Sequence, residues 1–263
     1  MNGRREAQML RGENMLLEEI RESVKDLRDN YGACGLKLGT EAEGNTFEDI
    51  RYMKENVGDI LPIVVKVGGC EAKNDIRMMS EIGVSGIIGP MIESPYALSI
   101  FVRTLKSYYK DLSKVKKIIN IESITSFENL GRILNHPDFE IIDQVTIGRT
   151  DFSTSISSHV DDEKVFKYVK EIVNASHKAG KITSVGGSIT PLNAIKIKDF
   201  TGTEKINIRT VVIDLKKCPN IYEAIRKSLE LEILLLKNNK ILFPEYNSYF
   251  ENRIKVIKER IAC

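Results

Sequence analysis

The sequence has no long hydrophobic run. The longest strongly apolar stretch of the 263-residue chain, at 229–236, contains Glu230 and Glu232. It is far shorter than the ~20 apolar residues that a membrane-spanning helix needs. The first residues, Met-Asn-Gly-Arg-Arg-Glu, do not begin an apolar core of the signal-peptide type. We therefore expect a cytoplasmic protein that does not bind membranes.

Cysteine and histidine are scarce. The four cysteines contain no CxxC pair, so we expect reduced thiols and neither a disulfide framework nor a cysteine-based zinc site. The three histidines lie in sequence contexts typical of surface residues, so histidine chemistry is disfavoured. These residues are Cys34, Cys70, Cys218, Cys263, His136, His159 and His177.

The chain also lacks a charge excess and the common catalytic fingerprints. Its 39 Lys and Arg residues nearly balance its 37 Asp and Glu residues, giving a net charge of +2, so nucleic acid is not an expected partner. No G-x-S-x-G elbow is present, and neither a Walker loop nor a G-x-G-x-x-G fingerprint follows a predicted strand. Serine hydrolases and nucleotide-binding folds are therefore disfavoured.

What the sequence does contain is a repeated alternation of short apolar runs and amphipathic segments. This alternation is typical of parallel strands joined by helices. It predicts an α/β protein with a TIM-type (β/α) barrel, with a doubly wound open sheet as the alternative fold. Seven strands are visible and a barrel needs an eighth. The apolar runs are 35–39, 63–67, 86–92, 118–121, 144–148, 183–186 and 209–215.

The periodicity changes at both ends of the chain. Residues 1–34 form a predicted N-terminal helical segment, and residues 35–216 form the predicted barrel. Residues 217–263 are predicted as C-terminal helices that complete the barrel or form an oligomer interface. We expect a homo-oligomer.

Acidic residues follow most of the predicted strands. In a barrel these strand ends converge on one face, where their carboxylates repel one another unless a cation is present. A hard divalent ion such as Mg²⁺ or Mn²⁺ prefers such oxygen ligands. The alternative is that each carboxylate caps a helix or pairs with a lysine. The acidic residues at the tips are Glu41, Glu43, Glu71, Glu93, Glu122 and Asp151.

The segments 89–94, 118–123 and 147–153 carry motifs that resemble those of the HpcH/HpaI aldolase and citrate lyase β-subunit family. The run 118–123, ending in Glu122-Ser123, is similar to the family's strand with a metal-binding Glu. The run 147–153, Ile-Gly-Arg-Thr-Asp-Phe-Ser, is similar to its Ile-Gly-Pro-x-Asp-Leu-Ser motif, and 89–94, Gly-Pro-Met-Ile-Glu-Ser, to its Pro-Met-Val/Ile tip.

The resemblance implies a phosphoenolpyruvate/pyruvate-type barrel acting on 2-oxo acids or acyl-CoA esters. It implies that Glu122 and Asp151 bind the metal, Mg²⁺ or Mn²⁺, and that the backbone from Gly148 to Asp151 receives the substrate carboxylate. Lys66 occupies the place of an arginine that stabilises the enolate oxygen, and this exchanges a bidentate fork for a point charge. The histidine that the aldolase branch places near an early strand has no counterpart here.

From these residues we predict a metal-dependent (class II) carbon–carbon lyase, an aldolase or citrate-lyase-like enzyme. Lys66 adds positive charge beside the enolate, and either Glu41 or Glu43 is the general base. The predicted substrate-binding residues are Gly148, Arg149, Thr150 and Glu93, with Arg149 taking a second anionic group.

Four alternatives remain open. A Schiff-base aldolase would use Lys66 as the nucleophile. A phosphoenolpyruvate-mutase-like reaction or an isomerase reaction could use the same scaffold. A non-catalytic metabolite-binding subunit would use the C-terminal helices as its partner surface.

Overall fold

The computed structural model describes residues 2–41 and 43–262. Met1, Ala42 and Cys263, which fall within the predicted segments, lie outside the described residues. Within the described part, eight strands form a closed barrel in chain order. The strands are β1 Ala33–Gly39, β2 Ile63–Lys66, β3 Gly86–Gly89, β4 Lys116–Ile121, β5 Gln144–Gly148, β6 Ile182–Gly186, β7 Lys205–Ile208 and β8 Val211–Asp214. The predicted TIM-type barrel is confirmed.

Helices surround this barrel and extend it at both ends of the chain. None of the described helices is both long and apolar enough to cross a membrane. The helices are α1 Asn2–Tyr31, α2 Phe47–Val57, α3 Lys73–Ile82, α4 Pro95–Tyr108, α5 Ile124–Glu128, α6 Leu130–Leu134, α7 Arg149–Ser155, α8 Glu163–Lys178, α9 Pro191–Thr201, α10 Ile221–Leu242 and α11 Asn247–Ala262. Short 3-10 turns lie at Leu112–Lys114, Pro137–Ile141 and Pro244–Tyr246.

The strand missing from the sequence prediction is β7. It pairs with β6 in parallel, whereas β8 runs antiparallel to both β7 and β1. Only Arg209 and Thr210 connect β7 to β8, a link too short for a parallel crossover, so the chain reverses there as a hairpin. The parallel orientation predicted for 209–215 is therefore wrong. The reversal places Arg209 at the end of the barrel where β1 to β6 finish.

Two layers of packing hold the barrel. The main apolar core lies between the strands and the helices, and a smaller cluster of Val64, Ile88 and Ile118 fills part of the barrel interior. Because side chains two residues apart on a strand share a face, Ile118, Asn120 and Glu122 project inward from β4 and its end. The barrel interior thus changes from apolar to polar towards the ends of the parallel strands.

Candidate active site

A cavity of about 350 Å³ opens at the carboxyl ends of the parallel strands. Among the described residues, three carboxylates line it, from Glu43, Glu122 and Asp151. Five cationic side chains also line it, and two of them belong to α11. The cations are Lys37, Lys66, Arg209, Arg253 and Arg260. The structure therefore brings acidic and basic groups from both halves of the chain to one site.

Glu122 is the buried acid of this cavity, with a relative exposure of 2%. Its Oε1 accepts a hydrogen bond from the Met91 backbone N–H at 3.0 Å, and its Oε2 accepts one from Asn120 Nδ2 at 3.0 Å. Burial raises the pKa of Glu122, and the nearby charge of Asp151 raises it further, although Lys66 and these hydrogen bonds oppose the shift. The site therefore fixes the position of the Glu122 carboxylate in an environment that disfavours its ionised form.

Asp151 lies in the first turn of α7, which begins directly after β5. Its side chain is exposed to the cavity, and within the described part of the chain it accepts no hydrogen bond. β5 pairs with β4, so Asp151 and Glu122 follow neighbouring strands. The effect of Asp151 on the Glu122 pKa is electrostatic, so the two carboxylates are within interaction range. A shared cation would relieve this repulsion.

The donor set fits a hard divalent cation that keeps open positions. No three His, Cys, Asp or Glu side chains of the described residues gather into a metal-binding group. Mg²⁺ is commonly bound through one or two carboxylates, with water and substrate oxygens completing its shell. Glu122 and Asp151 match that pattern, and Asn120 Oδ1, buried without a hydrogen-bond partner, is a further oxygen acceptor at the cavity wall.

Lys66, at the end of β2, lies beside these acids. Its charge opposes the rise in the pKa of Glu122 and contributes to the lowered pKa of Glu43. The sequence prediction that placed Lys66 in the same site as Glu122 agrees with this geometry. Its ammonium is a positive charge positioned to stabilise an oxyanion formed in the cavity.

The two candidate bases separate in space. Glu43 lines the cavity and pairs with Lys37 at 2.6 Å, with both side chains largely buried. Burial alone would raise the pKa of Glu43, but the charge and hydrogen bond of Lys37, helped by Lys66 and Arg209, outweigh it and lower that pKa. A general base that works near neutral pH usually has a raised carboxyl pKa, and Glu43 departs from that pattern. Glu41 is exposed, lies against Gly68 and does not line the cavity.

Arg149 does not face the cavity, contrary to the sequence prediction. Its side chain is fully buried, pairs with Asp161 at 2.5 Å and donates to the Val160 carbonyl at 2.9 Å. Its guanidinium also lies over the Phe166 ring at 5.0 Å. The first turn of α7 directs Arg149 towards the segment before α8 while Asp151 faces the cavity, because residues two apart on a helix point in different directions.

The other predicted substrate-binding residues divide in the same way. Gly148 and Thr150 line the cavity. The Thr150 hydroxyl lies 3.3 Å from that of Ser188, at the end of the next strand, β6. Glu93 does not line the cavity, because its carboxylate accepts a hydrogen bond from the Ser123 hydroxyl. The prediction that Glu93 contacts substrate is not supported.

Sequence reasoning missed several polar residues of the site. Asn120 and Lys37 lie inside apolar strands, where the inward alternation of β4 and β1 could have identified them. Arg209 was placed inside a predicted strand instead of in the hairpin turn. Arg253 and Arg260 come from α11, and nothing in their local sequence connects them to the barrel.

A second cavity of about 270 Å³ adjoins the first and shares Lys37, Glu43 and Arg209 with it. Aromatic and aliphatic side chains of α10, α11 and the segment between them form much of its wall. Glu122, Asp151 and Lys66 all belong to the first cavity, so the acid–base groups are concentrated there.

The thiols and histidines stay outside this site. Cys34, Cys70 and Cys218 are free thiols, and Cys263 lies outside the described residues. Neither these three cysteines nor any of the three histidines line the first cavity. His177, for example, contacts Glu204 at 3.0 Å on the outside of the barrel.

Comparison with known proteins agrees with this fold. The family model described as HpcH/HpaI aldolase/citrate lyase matches residues 48–193, more than half of the chain, and the chain belongs to that family. Membership supports a lyase-type enzyme, and the family is generally dependent on a divalent metal. No curated protein sequence matches the chain.

Solved structures show the same fold at low sequence identity. An HpcH/HpaI aldolase/citrate lyase family protein from Burkholderia cenocepacia J2315 is 16% identical with a TM-score of 0.56, covering 72% of this chain and 92% of that chain. An HpcH/HpaI aldolase from Desulfitobacterium hafniense DCB-2 is 13% identical with a TM-score of 0.56, covering 69% and 87%. A citrate lyase from Burkholderia xenovorans LB400 is 14% identical with a TM-score of 0.52, covering 80% and 84%.

Proposed function

We propose that the protein is a metal-dependent carbon–carbon lyase that cleaves or forms a bond next to the carbonyl of a 2-oxo acid or acyl-CoA-type substrate through an enolate. The observation that carries this proposal is the placement of Glu122 and Asp151 in one cavity, where the charge of Asp151 raises the pKa of Glu122. Two carboxylates that repel one another at the ends of adjacent barrel strands form a suitable cation site.

Glu122 and Asp151 would hold the cation, Mg²⁺ or Mn²⁺. When bound, it supplies Lewis-acid stabilisation of the negative charge that develops on the substrate oxygens. Asn120 keeps Glu122 in position through its Nδ2 hydrogen bond, and the Met91 backbone N–H does the same on the other oxygen. These fixed partners orient the acid before substrate arrives.

Lys66 contributes the positive charge beside the enolate oxygen. A lysine ammonium acts as a point charge, so it can follow a small shift of the oxyanion without the planar geometry that an arginine imposes. Its electrostatic effect on Glu122 supports its position close to the acids.

Glu43 is the proton acceptor in this proposal. Its Oε2 is buried and has no hydrogen-bond partner, whereas its Oε1 is bound to Lys37. Lys37 lowers the pKa of Glu43, so the carboxylate is present in its ionised, proton-accepting form, and the same contact makes it a weaker base than an isolated carboxylate.

The substrate carboxylate would bind near Thr150 and Ser188. Gly187, which precedes Ser188, has a φ of +95°. A Cβ on Gly187 would stand 2.5 Å from the Thr150 backbone nitrogen. The missing side chain therefore leaves that nitrogen and the two hydroxyl groups close to the cavity.

The test uses solvent deuterium exchange. Protein with Mg²⁺ or Mn²⁺ is incubated in D₂O with pyruvate and with a panel of 2-oxo acids, and methyl exchange and pyruvate release are followed by proton NMR. We expect exchange in the wild type, and its loss in Glu122→Gln, in Asp151→Asn and on addition of a chelator. Glu128→Gln, on α5 and outside the cavity, is the control and should keep exchange.

The outcomes separate the alternatives. Exchange that survives both substitutions and the chelator contradicts the proposal. Exchange without cleavage of any 2-oxo acid retains the enolate chemistry but favours a mutase-like or isomerase reaction. Binding of 2-oxo acids without exchange favours a metabolite-binding subunit.

A further inference from the structure

Helix α11 lies across the mouth of the first cavity. Arg253, Val256 and Arg260 of this helix line the cavity, and their spacing of three and four residues puts them on one helix face. Phe250 and Ile257 are buried and anchor the helix. The family match ends at residue 193, so nothing in that match assigns a role to this face.

Two arginines of this region contact the same carboxylate, and a third lies near it. Glu232 Oε1, from α10, lies 2.9 Å from Arg253 Nη2 and 3.5 Å from Arg209 Nε. Arg260 is close enough to feel the charges of Glu232, Arg253 and Arg209. The charge of Glu232 therefore faces more than one arginine beside the cavity.

Arg260 has the weakest compensation of the three. Its Nε and Nη2 both donate to the Ile189 backbone carbonyl, a neutral acceptor. Among the described residues it forms no ion pair with a carboxylate. Burial lowers the pKa of Arg260, and the charges of Arg253 and Arg209 act in the same direction against that of Glu232. Removing a charge from water without a partner is costly, and an anion entering the cavity would offset this cost.

The remaining charges of the cavity do not supply that anion. Glu43 is bound to Lys37, and Glu122 and Asp151 form the proposed cation site. Lys66 is assigned to the enolate oxygen. A substrate with one carboxylate would use the groups around the cation and leave Arg260 without a carboxylate partner among the described residues.

We propose that Arg260 and Arg253 form a subsite for a second anionic group of the substrate, a carboxylate or a phosphate. The substrate is then a 2-oxo acid whose far end is also anionic. Arginine suits this role because its planar fork binds carboxylate and phosphate oxygens through two parallel hydrogen bonds. The identification of the 2-oxo end rests on the proposed function, whereas the anion subsite rests on α11 alone.

The experiment compares matched ligands by isothermal titration calorimetry in Mg²⁺ buffer. In the carboxylate arm 2-oxoglutarate is compared with 2-oxopentanoate, and in the phosphate arm phosphonopyruvate is compared with 2-oxobutanoate. In at least one pair we expect the ligand with the additional anionic group to bind about tenfold or more tightly than its match. An affinity difference of this size is typical of a hydrogen bond between charged groups. The comparison that shows this difference in affinity identifies the anion as a carboxylate or a phosphate.

Variants of α11 then show which residue causes the preference for the ligand with the second anionic group. Arg260→Gln keeps an amide that can donate to the Ile189 carbonyl but removes the charge, and it should reduce the preference to about threefold or less. Arg260→Lys should retain part of it. Lys258→Gln removes one charge from an exposed position of the same helix and should leave the preference unchanged. Thermal unfolding of each variant shows whether α11 remains packed.

Two results would overturn the proposal. One is equal affinity of the wild type for both members of each pair. The other is a preference that Arg260→Gln leaves intact. Loss of deuterium exchange with a retained preference contradicts only the enolate function, whereas exchange without a preference contradicts only the anion subsite.

Discussion

Gly148 leaves the space that the Glu122 side chain occupies. A Cβ built on Gly148 would stand 2.5 Å from Glu122 Oε2 and 2.8 Å from Glu122 Cβ, both closer than real contacts allow. Gly148 is the last residue of β5, and Glu122 follows the neighbouring strand β4. The absence of a side chain on one strand thus fixes where the acid of the next strand can lie.

Gly148→Ala should therefore remove metal binding without unfolding the protein. The methyl group must displace Glu122, so its carboxylate moves away from Asp151. We expect the affinity for Mn²⁺, measured by electron paramagnetic resonance, to fall at least about tenfold, because a misplaced ligand loses much of its contribution. Gly131→Ala on α6, where a Cβ meets nothing within 4 Å, is the matched control. Unchanged Mn²⁺ affinity in Gly148→Ala would contradict the assignment of Glu122.

Glu122→Gln should stabilise the metal-free protein at neutral pH. The buried Glu122 has a raised pKa, so the folded state holds its proton more tightly than the unfolded chain does. The free energy of unfolding therefore falls as pH rises from the pKa of the unfolded chain through the raised pKa. Glutamine does not ionise, so the variant does not lose this stability. Asn120 Oδ1, which has no hydrogen-bond partner, can accept from the new amide after a flip of the Asn120 side chain.

Thermal unfolding at several pH values checks this prediction. We expect the Tm of the metal-free variant to exceed that of the wild type above the raised pKa, by about 2–4 °C for each kcal/mol in a protein of this size. The difference should shrink as pH falls below the Glu122 pKa. Adding Mn²⁺ should raise the Tm of the wild type alone. A variant less stable than the metal-free wild type at every pH would show that the Glu122 carboxylate is not under strain.

Glu43→Gln and Glu41→Gln should differ sharply in pyruvate deuterium exchange. Only Glu43 lines the cavity, so its loss should slow exchange by about 10²- to 10⁴-fold, the usual contribution of a general base. Glu41→Gln should keep the wild-type rate within about twofold, since Glu41 lies against Gly68 and does not line the cavity. Equal rates for the two variants, with Mn²⁺ affinity unchanged, would exclude Glu43 as the proton acceptor.

The sequence was sufficient for the barrel because its strands follow local patterns, whereas the two acids were selected by the resemblance of 118–123 and 147–153 to family motifs. Val- and Ile-rich runs followed by helices define the parallel strands, and the residue after each strand must lie on the common face. Glu122 follows β4 directly, and Asp151 lies in the first turn of α7, just after β5. Their convergence on one face therefore follows from the barrel itself.

The remaining site residues depend on contacts that no local pattern encodes. Arg149 and Asp151 are two residues apart, and only the packing of Arg149 against Asp161 and Phe166 reveals that it leaves the cavity. Arg260 reaches the cavity only because α11 folds back over the barrel. β7 was missed because the turn at Arg209 carries no glycine or asparagine signal for a tight hairpin.

Arg149→Met is the variant that separates the buried arginine from substrate binding. Arg149 Nε and Nη1 are buried without hydrogen-bond partners, and Asp161 is 43% exposed, so water can solvate Asp161 after the change. Because Asp161 keeps its contact with water, the change leaves no buried unpaired charge, and we expect the free energy of unfolding to fall by about 2 kcal/mol or less, below the roughly 3–5 kcal/mol for breaking a fully buried pair. The affinity for 2-oxo acids, measured by calorimetry, should stay within about twofold of the wild type, whereas Lys66→Met should weaken it in the same assay.

Mn²⁺ affinity shows whether the first turn of α7 still holds Asp151 in position. A tenfold loss of 2-oxo acid affinity with unchanged Mn²⁺ affinity would return Arg149 to the substrate site, because the only change would then be the loss of its charge.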